Sequence, residues 1–212
     1  AGELKTEYNG AQDHDYVLRC AEIAECVRHI PRILYHWRIS DNSTAKSASV
    51  KTYANTAGVN AVAAHIKRIG LDGKVTNGVA PGFYDIDYKL EGEPFVSVII
   101  PNKDHLEDLT RCIESMEQVN NYHNLEYIVV ENNSVLDETF AGYEAMGKKY
   151  GDRFKLVKWD GIFNYSAINN YGIQFAKGDY ILLLNNDTEV IEPDSLRRML
   201  ALCQRPNVGI VG

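Results

Sequence analysis

Cysteine is scarce and unpatterned in this chain. Cys20, Cys26, Cys112 and Cys203 form no Cys-x-x-Cys pair, which speaks against a zinc site or a disulfide framework and leaves reduced thiols in a cytosolic protein as the expectation. Basic charge is also short. Lys and Arg number 22 against 29 Asp and Glu, a net charge of −7, so no cationic surplus exists to neutralise the phosphates of a nucleic acid. No apolar stretch nears the roughly 20 residues of a membrane span, and no signal peptide opens the chain. The Gly-x-Gly-x-x-Gly turn of dinucleotide dehydrogenases and the Gly-x-x-x-x-Gly-Lys-Ser/Thr loop of Walker ATPases are both missing. What remains is 45% apolar and 24% charged, an ordinary globular composition. The opening Ala1-Gly2-Glu3 and the apolar run just before Gly212 read as the ends of a piece cut from something longer.

The second half alternates short apolar runs with helical spacing. Val96-Ser97-Val98-Ile99-Ile100 predicts a buried strand closed by Pro101, and Leu106, Leu109, Ile113 and Met116 predict a helix after it. Tyr127-Ile128-Val129-Val130 is the second strand, followed by a polar helix over about 136–150 and a shorter strand at 154–157. Ile168, Gly172 and Phe175 mark another helix, ended by Gly178. The run 180–184 is a fourth strand, a helix follows from Asp194-Ser195, and Val208-Gly209-Ile210-Val211 is a fifth apolar run. This order indicates βαβ units in an α/β fold with a mostly parallel, Rossmann-like sheet. Right-handed crossovers then bring the loops 102–104, 132–134 and 185–187 to one edge.

The first half is mainly helical. A helix is predicted over 12–25, with Asp13 and Asp15 in its first turn, and a second along Val59, Val62, Ile66 and Ile69. Ile33-Leu34-Tyr35-His36-Trp37 is strand-like, 40–49 is a loop, and 72–94 is turn-rich with one exposed strand at 83–88. A boundary falls near Glu93-Pro94.

Tyr180-Ile181-Leu182-Leu183-Leu184 running into Asn185-Asn186-Asp187 carries the most information. A fully buried strand ends in two amides and a carboxylate, at the edge where open α/β sheets bind ligands. A turn rich in Asn and Asp would read the same way taken alone. Three ordered blocks decide for function: Val96-Ser97-Val98-Ile99-Ile100-Pro101, Ile128-Val129-Val130-Glu131-Asn132-Asn133-Ser134, and Lys177-Gly178-Asp179 leading into 180–187. In order and spacing they resemble the family 2 glycosyltransferases of GT-A fold. Phe163-Asn164-Tyr165-Ser166-Ala167-Ile168-Asn169-Asn170 is similar to the segment before the metal motif in bacterial cell-surface polysaccharide and rhamnosyltransferase-like enzymes.

That resemblance implies a donor site. Pro101, Asn102, Lys103 and Asp104 would form the first nucleotide-contacting loop, with Asp104 alternatively capping the helix near His105. Glu131 and Asn132 would hold base and ribose, Asn132 replacing the usual acid. Asn169 joins the donor-site candidates, against a role on the helix surface or as a local cap. Asn185, Asn186 and Asp187 match Asp-x-Asp, with Asp187 the strong ligand for Mg²⁺ or Mn²⁺. Gln12-Asp13-His14-Asp15 with Arg19 resembles the acceptor-side segment, in which Asp13 takes the catalytic base position. His36, in a segment like the close of such a domain, could join a metal.

The implied organisation is a tandem enzyme. Residues 1–50 would be the tail of one transferase domain, 51–93 a linker with a helix, and 94–212 the donor-nucleotide-binding half of a second. The implied reaction is inverting, metal-assisted transfer from a nucleoside-diphosphate sugar to a glycan or lipid-linked saccharide, in the cytoplasm or peripherally at the inner face of the membrane. The piece would be inactive alone. A carbohydrate- or nucleotide-binding scaffold that has lost its metal, supported by the two amides, and a nucleotidyltransferase on a related sheet stay open as alternatives.

Overall fold

The computed structural model describes residues 1–36 and 52–212, which divide into two units, 1–89 and 90–212. Trp37, Arg38, the Ser43-Thr44-Ala45 segment and the loop read at 40–49 lie outside the described residues.

The first unit holds helices α1 (Gln12–Ile23) and α2 (Thr52–Arg68) and an antiparallel hairpin of β1 (Gly73–Asn77) and β2 (Tyr84–Tyr88). The stretch read as a linker with a helix carries α2 and the hairpin, and α2 packs on both α1 and β1. Ala57, Ala61, Val62 and Ile66 of α2 are buried. A charged cluster ties the two helices. Arg19 Nε donates to Asp15 Oδ2 at 2.9 Å with both side chains buried, and Arg68 grips Glu22 through Nε and Nη2. Ile33, Leu34 and Tyr35, expected in a strand, are exposed and unpaired in sheet terms. An extended run makes a strand only where another edge accepts its backbone groups.

The second unit contains β3 (Val96–Asn102), α3 (Leu106–Gln118), β4 (Leu125–Glu131), α4 (Asp137–Tyr150), β5 (Phe154–Lys158), α5 (Tyr165–Ile173), β6 (Tyr180–Leu183) and α6 (Ser195–Cys203). The four strands are parallel in the order β5-β4-β3-β6. β3 and β4 occupy the centre, which is why both read as unbroken apolar runs. Val96, Val98, Ile100, Tyr127 and Val129 share one apolar cluster with Leu109 and Ile113 of α3, Tyr143 and Met146 of α4, and Leu196 and Leu200 of α6. Ile99, Ile128, Val130 and Val157 form the other with Ile168 of α5.

Several details differ from the sequence reading. β6 ends at Leu183 and, with Ile181 and Leu183 exposed, is not a fully buried strand; α5 ends at Ile173, short of Phe175 and Gly178. β3 does not close at Pro101; it continues to Asn102, paired with Glu131 of β4. Pro101 faces the β6 side, and β6 has already ended opposite Ile99, so its missing N–H breaks no ladder bond. The apolar run 208–211 forms no strand, leaving β6 at the sheet edge.

The register of β6 is set by a buried polar node. Ser97 Oγ donates to Glu126 Oε1 at 2.7 Å and accepts from the backbone N–H groups of Lys177 and Gly178. Glu126 Oε1 also accepts from Lys177 N at 2.8 Å. This fixes the chain entering β6, and with it the position of 185–187 at the opposite end.

Candidate functional site

At the carboxyl edge of the sheet the loops after β3, β4 and β6 are wired together. Asn186 Nδ2 donates to Asn102 Oδ1 at 2.7 Å. Asn102, 3% exposed, passes its own amide hydrogens to the Asp104 carbonyl at 2.7 Å and to Tyr143 Oη of α4 at 2.8 Å. Asn132 N donates to Asn102 O at 2.9 Å, and Asp104 N donates to Ser134 Oγ at 2.9 Å. Ser134 N in turn donates to Glu131 Oε1. Asp104, His105 and Asn133 all have positive φ, at 50°, 45° and 58°. Three non-glycine residues in that region on one rim mean that the surrounding bonds, not local preference, set the loop shapes.

Asp104 does not cap the helix that follows it. Its Oδ1 accepts from Val135 N at 3.0 Å and Leu136 N at 3.1 Å, with Thr139 Oγ1 at 3.4 Å, so it serves the start of α4. Burial would raise this carboxyl, but those donors outweigh it and hold it below its ordinary range. α3 begins instead from His105 in a left-handed conformation, with no side-chain cap.

Asn132 is tied into the protein. It is 3% exposed, and its Nδ2 donates to the backbone carbonyls of both Trp159 and Gly161, at 3.1 and 2.9 Å. Glu131, also buried, lies on the same rim. Asn169 is buried on α5, where its Nδ2 donates to Tyr165 O at 2.8 Å and its Oδ1 meets no donor among the described residues. Lys103 is exposed beside Asp104.

Asn185 and Asp187 are exposed, while Asn186 is half-buried through its bond to Asn102. Asp187 lies near the buried Cys112 of α3. Burial, and then the Asp187 carboxylate, push the Cys112 thiol up to about 12. Among the described residues no three His, Cys, Asp or Glu side chains converge to hold a metal. The donor set here is one exposed carboxylate with amides beside it. This fits a hard divalent ion that takes one or two protein carboxylates and completes its shell with ligand phosphates and water.

The remaining candidates belong to the first unit. Asp13 is exposed in the first turn of α1, its Oδ1 accepting from His14 N at 2.9 Å. His14 stacks on Tyr84 at 5.4 Å between ring centroids. Asp15 and Arg19, of the same motif, are structural: Arg19 bonds Asp15 and also the carbonyls of Ala1 and Glu3. His36 is exposed, and no group of three metal-binding side chains among the described residues includes it.

One participant escaped the sequence reading. Tyr143 joins α4 to Asn102 through its hydroxyl, buried 41 residues downstream. An aromatic on a helix face signals core packing, and only the fold reveals the polar end.

Residues 97–212 match the profile of glycosyl transferase family 2. Two curated relatives span the whole chain: the uncharacterized protein y4gI of Sinorhizobium fredii, 41% identical over 216 residues, and the O-antigen biosynthesis protein RfbC of Myxococcus xanthus, 38% identical over 211. The chain covers 23% and 16% of their respective lengths. The amylovoran biosynthesis glycosyltransferase AmsB of Erwinia amylovora is 28% identical over 109 residues, 51% of this chain and 36% of AmsB. Among solved structures, the mannosyltransferase PcManGT of Pyrobaculum calidifontis, in complex with GDP-Man and Mn²⁺, superposes with a TM-score of 0.50 at 19% identity, over 76% of this chain and 44% of that one. That superposition bears on the fold, a GT-A type sheet.

Proposed function

Because the chain belongs to glycosyl transferase family 2, we propose that residues 94–212 are the donor-nucleotide-binding half of a sugar-transferring domain. In the same reading 1–50 are the tail of a preceding transferase domain and 51–93 join the two. The donor is a nucleoside-diphosphate sugar. The acceptor is a glycan or lipid-linked saccharide, a choice that the polysaccharide-biosynthesis relatives support. The proposed setting is the cytoplasm, at the inner face of the membrane. No described helix is long and apolar enough to cross a membrane.

The observation that carries this reading is the hydrogen-bonded rim. Asn186 is tied to Asn102, and Asp187 follows it on the loop after β6, which supports a role for that carboxylate beside the loop 102–104. Asp187 would hold the divalent ion, Mg²⁺ or Mn²⁺. When bound, the ion supplies Lewis-acid stabilisation of charge growing on the departing diphosphate, a role worth several kcal/mol in metal enzymes. The chain's own task is orientation: the rim loops hold the diphosphate so that the anomeric carbon faces the incoming hydroxyl. In a single inverting displacement the acceptor oxygen forms its bond as the sugar–phosphate bond breaks. The acceptor proton goes to a carboxylate. Asp13 is the proposed base of the preceding domain. The 212-residue chain alone is therefore expected to bind donor without sustaining turnover.

Calorimetric titration with UDP, dTDP and GDP, with and without Mn²⁺, tests the reading. Binding that is strengthened by Mn²⁺ and loses that gain in Asp187→Asn supports it. Metal-independent binding that Asp187→Asn leaves unchanged would favour the scaffold alternative, for which the amides at Asn185 and Asn186 are the supporting observation.

A further inference from the structure

The loop after β5 is held rigidly and yet turns apolar side chains into solvent. Trp159 N donates to Glu131 O at 2.9 Å. Asn132 Nδ2 binds the carbonyls of Trp159 and Gly161, and Asn133 Nδ2 reaches Gly161 O at 3.1 Å. Behind the loop the Trp159 ring packs on Tyr171 at 5.3 Å, and Tyr171 on Phe175 at 5.1 Å. On its far side Asn164 caps α5, its Oδ1 accepting from Ala167 N at 3.0 Å. The backbone is thus clamped from both ends. Ile162 remains 92% exposed and Phe163 61%.

Phe163 stands immediately before the cap. From there an apolar side chain ordinarily packs on the fourth helical residue, here the buried Ile168. Phe163 instead keeps most of its ring in water. A ring exposed on a fixed backbone is ready to stack on a flat partner at little ordering cost.

Its place in the sheet names the partner. The strand order is β6-β3-β4-β5, and every strand-to-helix loop leaves from the same edge. The loop turns back from β5 toward β4, where Asn132 and Asn133 hold Gly161, and the helix that Phe163 precedes packs on β3 and β4. A nucleoside diphosphate with its phosphates at β6 and β3 extends its base along this edge toward β4 and the loop that Asn132 and Asn133 hold. We propose that Phe163 is the stacking platform for the donor nucleobase, and that Asn132 and Asn133 are positioning residues that hold the platform rather than read the base. The proposal rests on the donor-site reading above. Stacking on one face accepts any base, so this residue contributes affinity and leaves the choice among uracil, thymine and guanine to other groups.

The test compares nucleoside diphosphates with inorganic pyrophosphate, which lacks a base. The 212-residue chain is titrated in Mn²⁺ with UDP, dTDP, GDP and pyrophosphate, as wild type, Phe163→Ala, Phe163→Tyr and Asn132→Asp. Phe163→Ala is expected to weaken all three nucleotides by about fivefold or more and to leave pyrophosphate unchanged. Phe163→Tyr is expected to keep wild-type affinity. Asn132→Asp, which loses both N–H donors, is expected to weaken the nucleotides selectively and to shift the emission of Trp159. Equal weakening of pyrophosphate by Phe163→Ala, or no weakening of any nucleotide, overturns the platform. A wild-type chain that binds pyrophosphate as tightly as the nucleotides also overturns it, with the donor-site reading still standing. A wild-type chain that binds none of the four overturns the donor site itself.

Discussion

Asn186 Nδ2 and Asn102 Oδ1 are 2.7 Å apart, and this single bond joins the loop after β6 to the loop after β3. Asn186 is the middle residue of the Asn185-Asn186-Asp187 triplet. Its side chain is occupied within the protein, while Asn185 and Asp187 on either side are exposed. Asn102 is saturated in turn by Asp104 O and Tyr143 Oη. Asn102, in the loop expected to meet the nucleotide, is the hub of the rim's hydrogen bonds.

The two amides should be energetically coupled. Asn102→Ala removes three bonds from a buried site and is expected to cost about 1–3 kcal/mol of unfolding free energy. Asn186→Ala should cost less, since its side chain is only half-buried. In a double-mutant cycle by chemical denaturation the pair should depart from additivity by about 0.5–1.5 kcal/mol. Strict additivity would mean the bond does not form in solution.

Asp104 gives a local prediction. Its carboxylate accepts the first N–H groups of the α4 segment, from Val135 and Leu136. Asp104→Ala should speed hydrogen exchange at those two amides while leaving β3 and β4 protected. Asp104→Asn keeps an acceptor oxygen and should show a smaller change. If the two variants exchange alike, the cap is not what orders this turn.

Much of this was legible in the chain, for reasons that differ by residue. Val96–Ile100 and 127–130 are buried on both faces, so composition alone announces central parallel strands. The spacing of Leu109, Ile113 and Met116 announces α3 in the same way. That Asp104 does not cap the helix after it is not legible, because its partners lie 31, 32 and 35 residues away, beyond any local capping pattern. β1 escaped notice because Gly73-Lys74-Val75-Thr76-Asn77 lacks an apolar run; its pairing with β2 makes it a strand. The segment Ile33-Leu34-Tyr35 misled in the opposite direction, being apolar yet exposed. Asn132 carries amide chemistry suited to a base edge, and nothing in the sequence says that two loop carbonyls take its hydrogens first.

The first unit should weaken in acid through Glu22. Arg68 hydrogen bonds first, and His65 after them, hold its carboxyl at about 2 against an ordinary 4.5. A depressed folded value means the unfolded chain takes up the proton first as pH falls. The stabilisation is whole above about 4.5 and drains away as pH drops toward 2. Glu22→Gln should therefore lower the stability of this unit at neutral pH and flatten its dependence between those values, as read by the denaturation midpoint against pH. A variant profile parallel to the wild type would assign the acid sensitivity to other carboxylates.

Gly178 tests the packing that delivers the site. A Cβ built there would lie 2.5 Å from Ser97 N and 2.8 Å from both Phe95 O and Val96 C. All three are backbone atoms at or just before the start of β3, so no side chain can swing aside to relieve the clash. The same residue donates its N–H to Ser97 Oγ at 2.8 Å, inside the node that sets the β6 register. Gly178→Ala should cost about 1–3 kcal/mol or more, and the strain should travel along β6 to 185–187. Gly209→Ala is the matched control: nothing lies within 4 Å of its Cβ, and its effect should stay within about 0.5 kcal/mol. Thermal melts of the two variants check the stability difference. Nucleotide titration in Mn²⁺ then asks whether the lost register also weakens binding at the far end of β6. If Gly178→Ala melts with the wild type, β6 approaches β3 less closely than this geometry requires.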